Sequence, residues 1–146
     1  SSGSSCVIID PGDEPKRIIE EVAQRDIKGI LITHGHYDHI GAVSELRDYY
    51  HTNVYATEDA RDMMLDWDEN LSVMLGGEKY IVDGVKVIKD SITLGEMKFE
   101  IYETPGHAKG SCSITMKRRM HYLQVIHYLK VAVEELIFLQ EISSLY

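Results

Sequence analysis

Lys28-Gly29-Ile30-Leu31-Ile32-Thr33-His34-Gly35-His36-Tyr37-Asp38-His39-Ile40 runs from an apolar strand pattern straight into a polar, histidine-rich turn. The apolar half reads as a buried strand, and Ile40, Val43, Leu46 and Tyr50 beyond the turn keep the spacing of an amphipathic helix. Three imidazoles and a carboxylate within residues 34–39 are the chemistry of a metal site rather than of packing. His34 and His36, two apart in an extended segment, point to one side and can grip one ion. Gly35 between them lets the backbone bend with no side chain in the way of the metal. Asp38 and His39 fall at the start of the helix, offset from the first pair, where they suit a second ion. Asp38 also suits the positive end of that helix, and it is the candidate catalytic carboxylate.

Upstream, Cys6-Val7-Ile8-Ile9-Asp10 reads as another buried strand, ended by Pro11-Gly12. Asp13 or Glu14 then caps a helix with Pro15 in its first turn and Ile18, Ile19, Val22 and Ala23 on one face. Downstream, Asn53-Val54-Tyr55-Ala56 is a third strand, and Thr57 caps a helix running through Met63, Met64 and Leu65. Strands alternating with helices predict an α/β layer architecture. Farther along, Val85-Lys86-Val87-Ile88 and Met97-Lys98-Phe99-Glu100-Ile101-Tyr102 alternate in period two, as half-exposed antiparallel strands do. Asp83-Gly84 and Gly95-Glu96 supply the turns between them, and Ser113-Ile114-Thr115-Met116 begins one more strand.

The chain has 146 residues, 44% of them apolar, which suits one domain around one core and excludes low-complexity and disulfide-stapled classes. Its net charge of −9 is unevenly placed. Residues 117–146 set Lys117, Arg118, Arg119 and Lys130 against Glu134, Glu135 and Glu141, a net of +1, which leaves −10 on residues 1–116. A surface this acidic repels phosphate backbones, so no nucleic acid is expected as substrate or partner. No uncharged apolar run reaches the roughly 18 residues of a membrane helix, so no membrane association is expected. Cys6 and Cys112 form no metal or redox pair motif, which fits a reducing, cytoplasmic setting. Ser1-Ser2-Gly3-Ser4-Ser5 lacks the apolar core of a signal peptide, and the chain reads as starting partway into a domain.

A further motif, Thr104-Pro105-Gly106-His107-Ala108-Lys109-Gly110-Ser111, sits between two predicted strands, where Pro105-Gly106 turns the chain and presents His107 at a strand end. His107 completes a three-nitrogen set with His34 and His36, the ligand number of a catalytic zinc site with an open position. His51, His121 and His127 have no such motif around them and read as surface or packing residues.

Together the two motifs resemble the metallo-β-lactamase superfamily, whose signature has the form His-x-His-x-Asp-His. The Thr-Pro-Gly-His-x-x-Gly-Ser stretch is most similar to that of its glyoxalase II-like thiolester hydrolases. Asp66-Trp67-Asp68-Glu69-Asn70-Leu71-Ser72 also resembles a loop such members carry after their third helix. The resemblance covers residues 6–116 and implies an αββα sandwich, here a single partial domain over residues 1–146 with mainly the first half present. It implies two metals in the family, zinc with iron or manganese as alternatives. His34, His36 and His107 would hold one, and Asp38 and His39 would help hold the other. It also implies hydrolysis of a small-molecule thiolester by a metal-activated hydroxide. Asp10 resembles the family's supporting aspartate, which orients a ligand rather than binding metal.

From residue 117 the chain leaves that pattern. Family members continue with a Gly-Asp whose carboxylate bridges both metals and with a later histidine, whereas no Asp occurs here beyond Asp90. One metal site is therefore complete and the other open, and impaired hydrolysis is expected. Codons can be chosen so that a shifted frame starting at the third base of Tyr122 reads Phe-Thr-Gly-Asp-Thr-Leu-Phe, and later Cys-Gly-Arg-Thr-Asp. A frameshift between about Met116 and Met120 is the favoured reading. The alternative is a divergent C-terminal helix around Val131, Glu134, Glu135 and Leu136, although its β-branched and aromatic content suits a helix poorly. Functional alternatives are a non-catalytic metal-binding or degenerate remnant and an iron-dependent sulfur dioxygenase. A β-lactamase, which usually goes with secretion, a nuclease, which sits badly with the acidic charge, and a flavin-partnered diiron protein, which has Glu where His36 stands, are disfavoured.

Overall fold

A computed structural model describes residues 5–95, 97–103, 112–117, 123–129 and 135–141. Strands β1 (Ser5–Ile9), β2 (Asp26–Leu31) and β3 (Val54–Ala56) run parallel to one another. β4 (Lys86–Val87) joins beside β3, β8 (Leu123–Leu129) lies parallel to β1, and β9 (Glu135–Glu141) pairs antiparallel with β8. The resulting six-stranded sheet has the order β4-β3-β2-β1-β8-β9. A smaller, antiparallel sheet is formed by β5 (Ser91–Leu94), β6 (Met97–Glu103) and β7 (Cys112–Lys117).

The period-two alternation of a strand divides the central residues between two cores. Cys6, Ile8, Ile30, Ile32, Val54 and Ala56 face the helices, where they meet Ile18 and Val22 of α1 (Pro15–Val22), Val43 and Leu46 of α3 (Val43–Tyr50), and Ala60 and Met64 of α4 (Glu58–Met64). Val7 and Leu31 face the other way, against Leu94, Met97, Phe99, Ile101 and Cys112 of the antiparallel sheet. β1 and β2 are therefore apolar on both faces, as strands at the middle of a layered fold must be. The layers run helices, mixed sheet, antiparallel sheet, which is the α/β architecture expected.

Several local expectations are corrected. Glu14 occupies the N-cap of α1 but makes no side-chain cap bond, because it adopts a left-handed conformation, φ +53°. The helix expected from Ile40 to Tyr50 is two: α2 (Tyr37–Ile40) ends at Gly41, and α3 starts after Ala42. Ala42 N–H is drawn to the Pro11 carbonyl at 2.9 Å, and this breaks the run. β4 pairs parallel with β3, not antiparallel, since alternation reports one exposed face and not strand direction. β5 and α5 (Ser72–Gly76) are elements that the sequence pattern does not announce. The tail forms strands where a helix is the alternative reading, in keeping with its β-branched and aromatic residues. Thr57 does cap α4, accepting from Ala60 N–H at 3.3 Å, and Gly95 turns β5 into β6 at φ +64°.

Candidate metal centre

The carboxyl ends of β1, β2 and β3 come to one edge of the sheet, the usual place for a site in a parallel α/β layer. Asp10 follows β1, residues 32–36 follow β2, and Thr57 follows β3. Asp10 sits in a left-handed conformation, φ +50°, with its N–H bonded to the Leu31 carbonyl at 3.0 Å. That turn aims a fully buried carboxylate across at the β2 end. Its Oδ1 accepts the Thr33 N–H at 2.7 Å, and its Oδ2 accepts both the Thr33 hydroxyl and His39 Nδ1–H, the latter at 3.0 Å. An ionised carboxylate only accepts, so Nδ1 of His39 carries a proton, and in the neutral ring it is Nε2 that keeps a lone pair.

Donor atoms of His34, Asp38 and His39 all lie within 4.8 Å of one another. His34 is buried, while Asp38 and His39 are partly open at 23% and 19% side-chain exposure. His39 Nε2 stands 3.8 Å from Asp38 Oδ2, on the side of the ring away from Asp10. His36 joins through His34, their ring centroids 4.1 Å apart and nearly perpendicular, and the His39 ring lies 4.6 Å from that of His34. The trio thus draws its donors from both the His34–His36 pair and the Asp38–His39 pair, which the fold brings together at one place. Donor atoms around a tetrahedral zinc are separated by about 3.3 Å, so small side-chain adjustments bring this trio onto an ion. Two imidazoles and a carboxylate fit a divalent metal such as zinc, iron or manganese.

Burial alone would lower the pKa of His39, but the bond from Asp10 and the charges of Asp10 and Asp38 outweigh it and hold the imidazole above its ordinary value. Cys6 and Cys112 are free and buried, and burial pushes both thiols up to about 12, which leaves neither as a thiolate ligand or nucleophile near neutrality.

Gly35 also answers a packing constraint that the sequence does not show. A Cβ there would meet the Ala60 carbonyl and Met63 Cβ at 2.9 Å, so the residue lets α4 approach the ligand turn. His107 lies outside the described residues. The strand after it is tied to the centre, since Cys112 N–H donates to the Thr33 carbonyl at 2.9 Å. His51 is exposed at the left-handed end of α3, away from any ligand cluster among the described residues. A cavity of about 300 Å³ opens on the same sheet edge, between Thr57, Val87, Ile88, Lys89, Asp90 and Glu103. Sequence reasoning passes over Tyr37 and Tyr80, whose rings meet edge-on at 5.5 Å beneath the ligand turn. An aromatic between two ligands is the one signal that marks Tyr37.

Comparison with known proteins identifies the family and the fold. The sequence model of the metallo-beta-lactamase superfamily matches residues 2–119. The "Probable metallo-hydrolase YqgX" of Bacillus subtilis is 31% identical over 125 residues, 80% of this chain and 57% of that protein. "Hydroxyacylglutathione hydrolase GloC" of Haemophilus influenzae is 26% identical over 117 residues, 73% of this chain and 53% of its own. Among solved structures, the BLEG-1 B3 metallo-beta-lactamase superposes with a TM-score of 0.68 at 30% identity, covering 90% of this chain and 60% of that one. The chain thus spans a little over half the length of these relatives.

Proposed function

The chain belongs to the metallo-β-lactamase superfamily, and we propose that it is a metal-dependent hydrolase domain acting on a small-molecule thiolester. The observation that carries the reading is the convergence of His34, Asp38 and His39 at the sheet edge, with Asp10 behind His39. His36 and His107 complete the proposed ligand set. A bound divalent ion lowers the pKa of water toward neutrality and polarises a carbonyl.

The protein's own groups do the rest. Asp10 fixes the His39 tautomer so that Nε2 faces the donors, and a carboxylate–histidine pair of this kind raises ligand basicity. Asp38, partly open beside them, is suited to hold a proton of the attacking water. A thiolate leaves readily, so no strong general acid is needed. The similarity to a hydroxyacylglutathione hydrolase supports the thiolester class. Lys89 is outnumbered in the neighbouring cavity by Glu58, Asp59, Asp90 and Glu103, which suits a thiolester free of clustered carboxylates better than a polyanion or nucleic acid. The two buried thiols accord with a reducing, cytoplasmic setting, and among the described residues no helix is long and apolar enough to cross a membrane.

The test is hydrolysis of S-lactoylglutathione and of a thiolester of an uncharged thiol, each with zinc, iron or manganese and with a chelator. Chelator-sensitive turnover, slow because the other metal position is open, is expected. Metal uptake with no turnover of either thiolester would replace the enzyme by a metal-binding remnant of the fold.

A further inference from the structure

α2 carries Asp38 and His39, two donors of the trio, yet it is four residues long and has no side-chain N-cap bond. A helix this short has no stability of its own, so its orientation is imposed from outside. Two hydrogen bonds impose it, one at each end. Tyr37 N–H donates to the Asn70 carbonyl at 2.7 Å, and the Ile40 carbonyl accepts the Tyr80 hydroxyl at 3.0 Å.

Both partners belong to one buried network in the segment that follows α4. The Asn70 amide donates to the Tyr80 carbonyl at 2.8 Å and its Oδ1 accepts Ser72 N–H at 2.8 Å. The Ser72 hydroxyl accepts Tyr80 N–H at 3.0 Å and donates to the Trp67 carbonyl at 3.2 Å. Asn70 and Ser72 are fully buried. The Tyr80 phenol accepts Ser44 N–H at 3.1 Å as well, so the same oxygen ties the first turn of α3 to the last residue of α2. Gly76 of α5 lies on the Tyr37 ring, where a Cβ would come within 2.5 Å of a ring carbon. Fully satisfied buried networks of this kind rigidify what they hold.

We infer that Asn70, Ser72 and Tyr80 are further positioning residues of the metal centre beside Asp10, gripping α2 at both ends and so helping to set how Asp38 and His39 stand toward His34. They touch no reacting atom. The inference rests on the proposed metal centre and adds the device that shapes it, built from a stretch with no metal ligand in it.

The test compares the native chain with Tyr80→Phe, which keeps the ring and removes the hydroxyl. Zinc affinity is measured by competition with a chromophoric chelator, the visible spectrum is recorded with cobalt(II), and the Tm of the metal-free protein is taken alongside. Tyr80→Phe is expected to bind zinc about tenfold more weakly and to change the cobalt spectrum. Ile18→Val, in the α1 face of the core, is expected to lower the metal-free Tm while leaving affinity and spectrum native. Ser72→Ala, which leaves both α2 bonds formally in place, carries the same comparison if Tyr80→Phe does not fold. Native affinity and an unchanged cobalt spectrum in the network variant would overturn the inference. A native chain that binds neither ion would instead overturn the metal-centre reading, and the inference with it.

Discussion

Asp10 decides the protonation state of His39. In the folded, metal-free protein the carboxylate raises the imidazole pKa above 6.5. A raised folded pKa contributes stability that is fully present below the unfolded value and is lost as pH rises through the folded one. Metal binding has the opposite sign, because the ligating imidazole must be neutral. The Tm advantage of the native metal-free chain over Asp10→Asn should therefore shrink between about pH 5.5 and pH 8.5, while zinc affinity of the native chain rises. Asp10→Asn should also weaken zinc by at least about tenfold and cost about 1–3 kcal/mol, since a buried carboxylate that accepts three hydrogen bonds is replaced by an amide. Melts and zinc titrations at the two pH values check this, and a Tm gap that widens with pH would contradict it. The ligand types are legible from residues 34–39 because few structural roles need three imidazoles so close. The closeness of His34 to Asp38 and His39 is not, because two-residue spacing in a strand says nothing of where a following helix turns.

Between residues and fold, the junction of α2 and α3 shows what periodicity conceals. Ile40, Val43, Leu46 and Tyr50 keep one face through the whole stretch, and nothing in that spacing marks a break. The break comes from another element: the loop after β1 presses the Gly12 carbonyl onto Gly41, and the Pro11 carbonyl takes Ala42 N–H. A Cβ at residue 41 would overlap the Gly12 carbonyl oxygen. Gly41→Ala is thus expected to cost about 1–3 kcal/mol by overpacking and to loosen zinc, because the displaced loop carries Asp10. Gly77→Ala is the comparison, with no atom within 4 Å of its Cβ but a φ of +79° that strains any side chain. It should lower Tm with zinc affinity unchanged, and equal loss of affinity in both variants would refute the steric account. β1, β2, β3, α1 and α4 are legible because apolar pattern and turn residues agree there. The direction of β4 and the existence of α5 are not, because two and five residues are too few for any period to register.

At the scale of the molecule, two cores meet back to back through β1 and β2, and the donors gather where those strands end. The tail enters this plan as strands, with β8 laid parallel to β1 so that His127 stands level with Ile9. In the family pattern the strand after Thr-Pro-Gly-His leads to a bridging carboxylate, and no Asp follows Asp90 here. Without that carboxylate a second ion would lack its bridging ligand, and two divalent charges brought together without a bridging anion repel one another strongly. The expected stoichiometry is therefore one tightly held ion per chain, measured by elemental analysis after zinc saturation and desalting. Two retained ions would show that the trio and the remaining histidines suffice without the bridge. The coding DNA supplies the companion test, because a frame shifted between Met116 and Met120 that encodes Gly-Asp would place an acidic residue within this same strand. A chain translated in that frame should then retain a second ion and hydrolyse the thiolester faster, whereas an unshifted gene would leave this segment without the carboxylate.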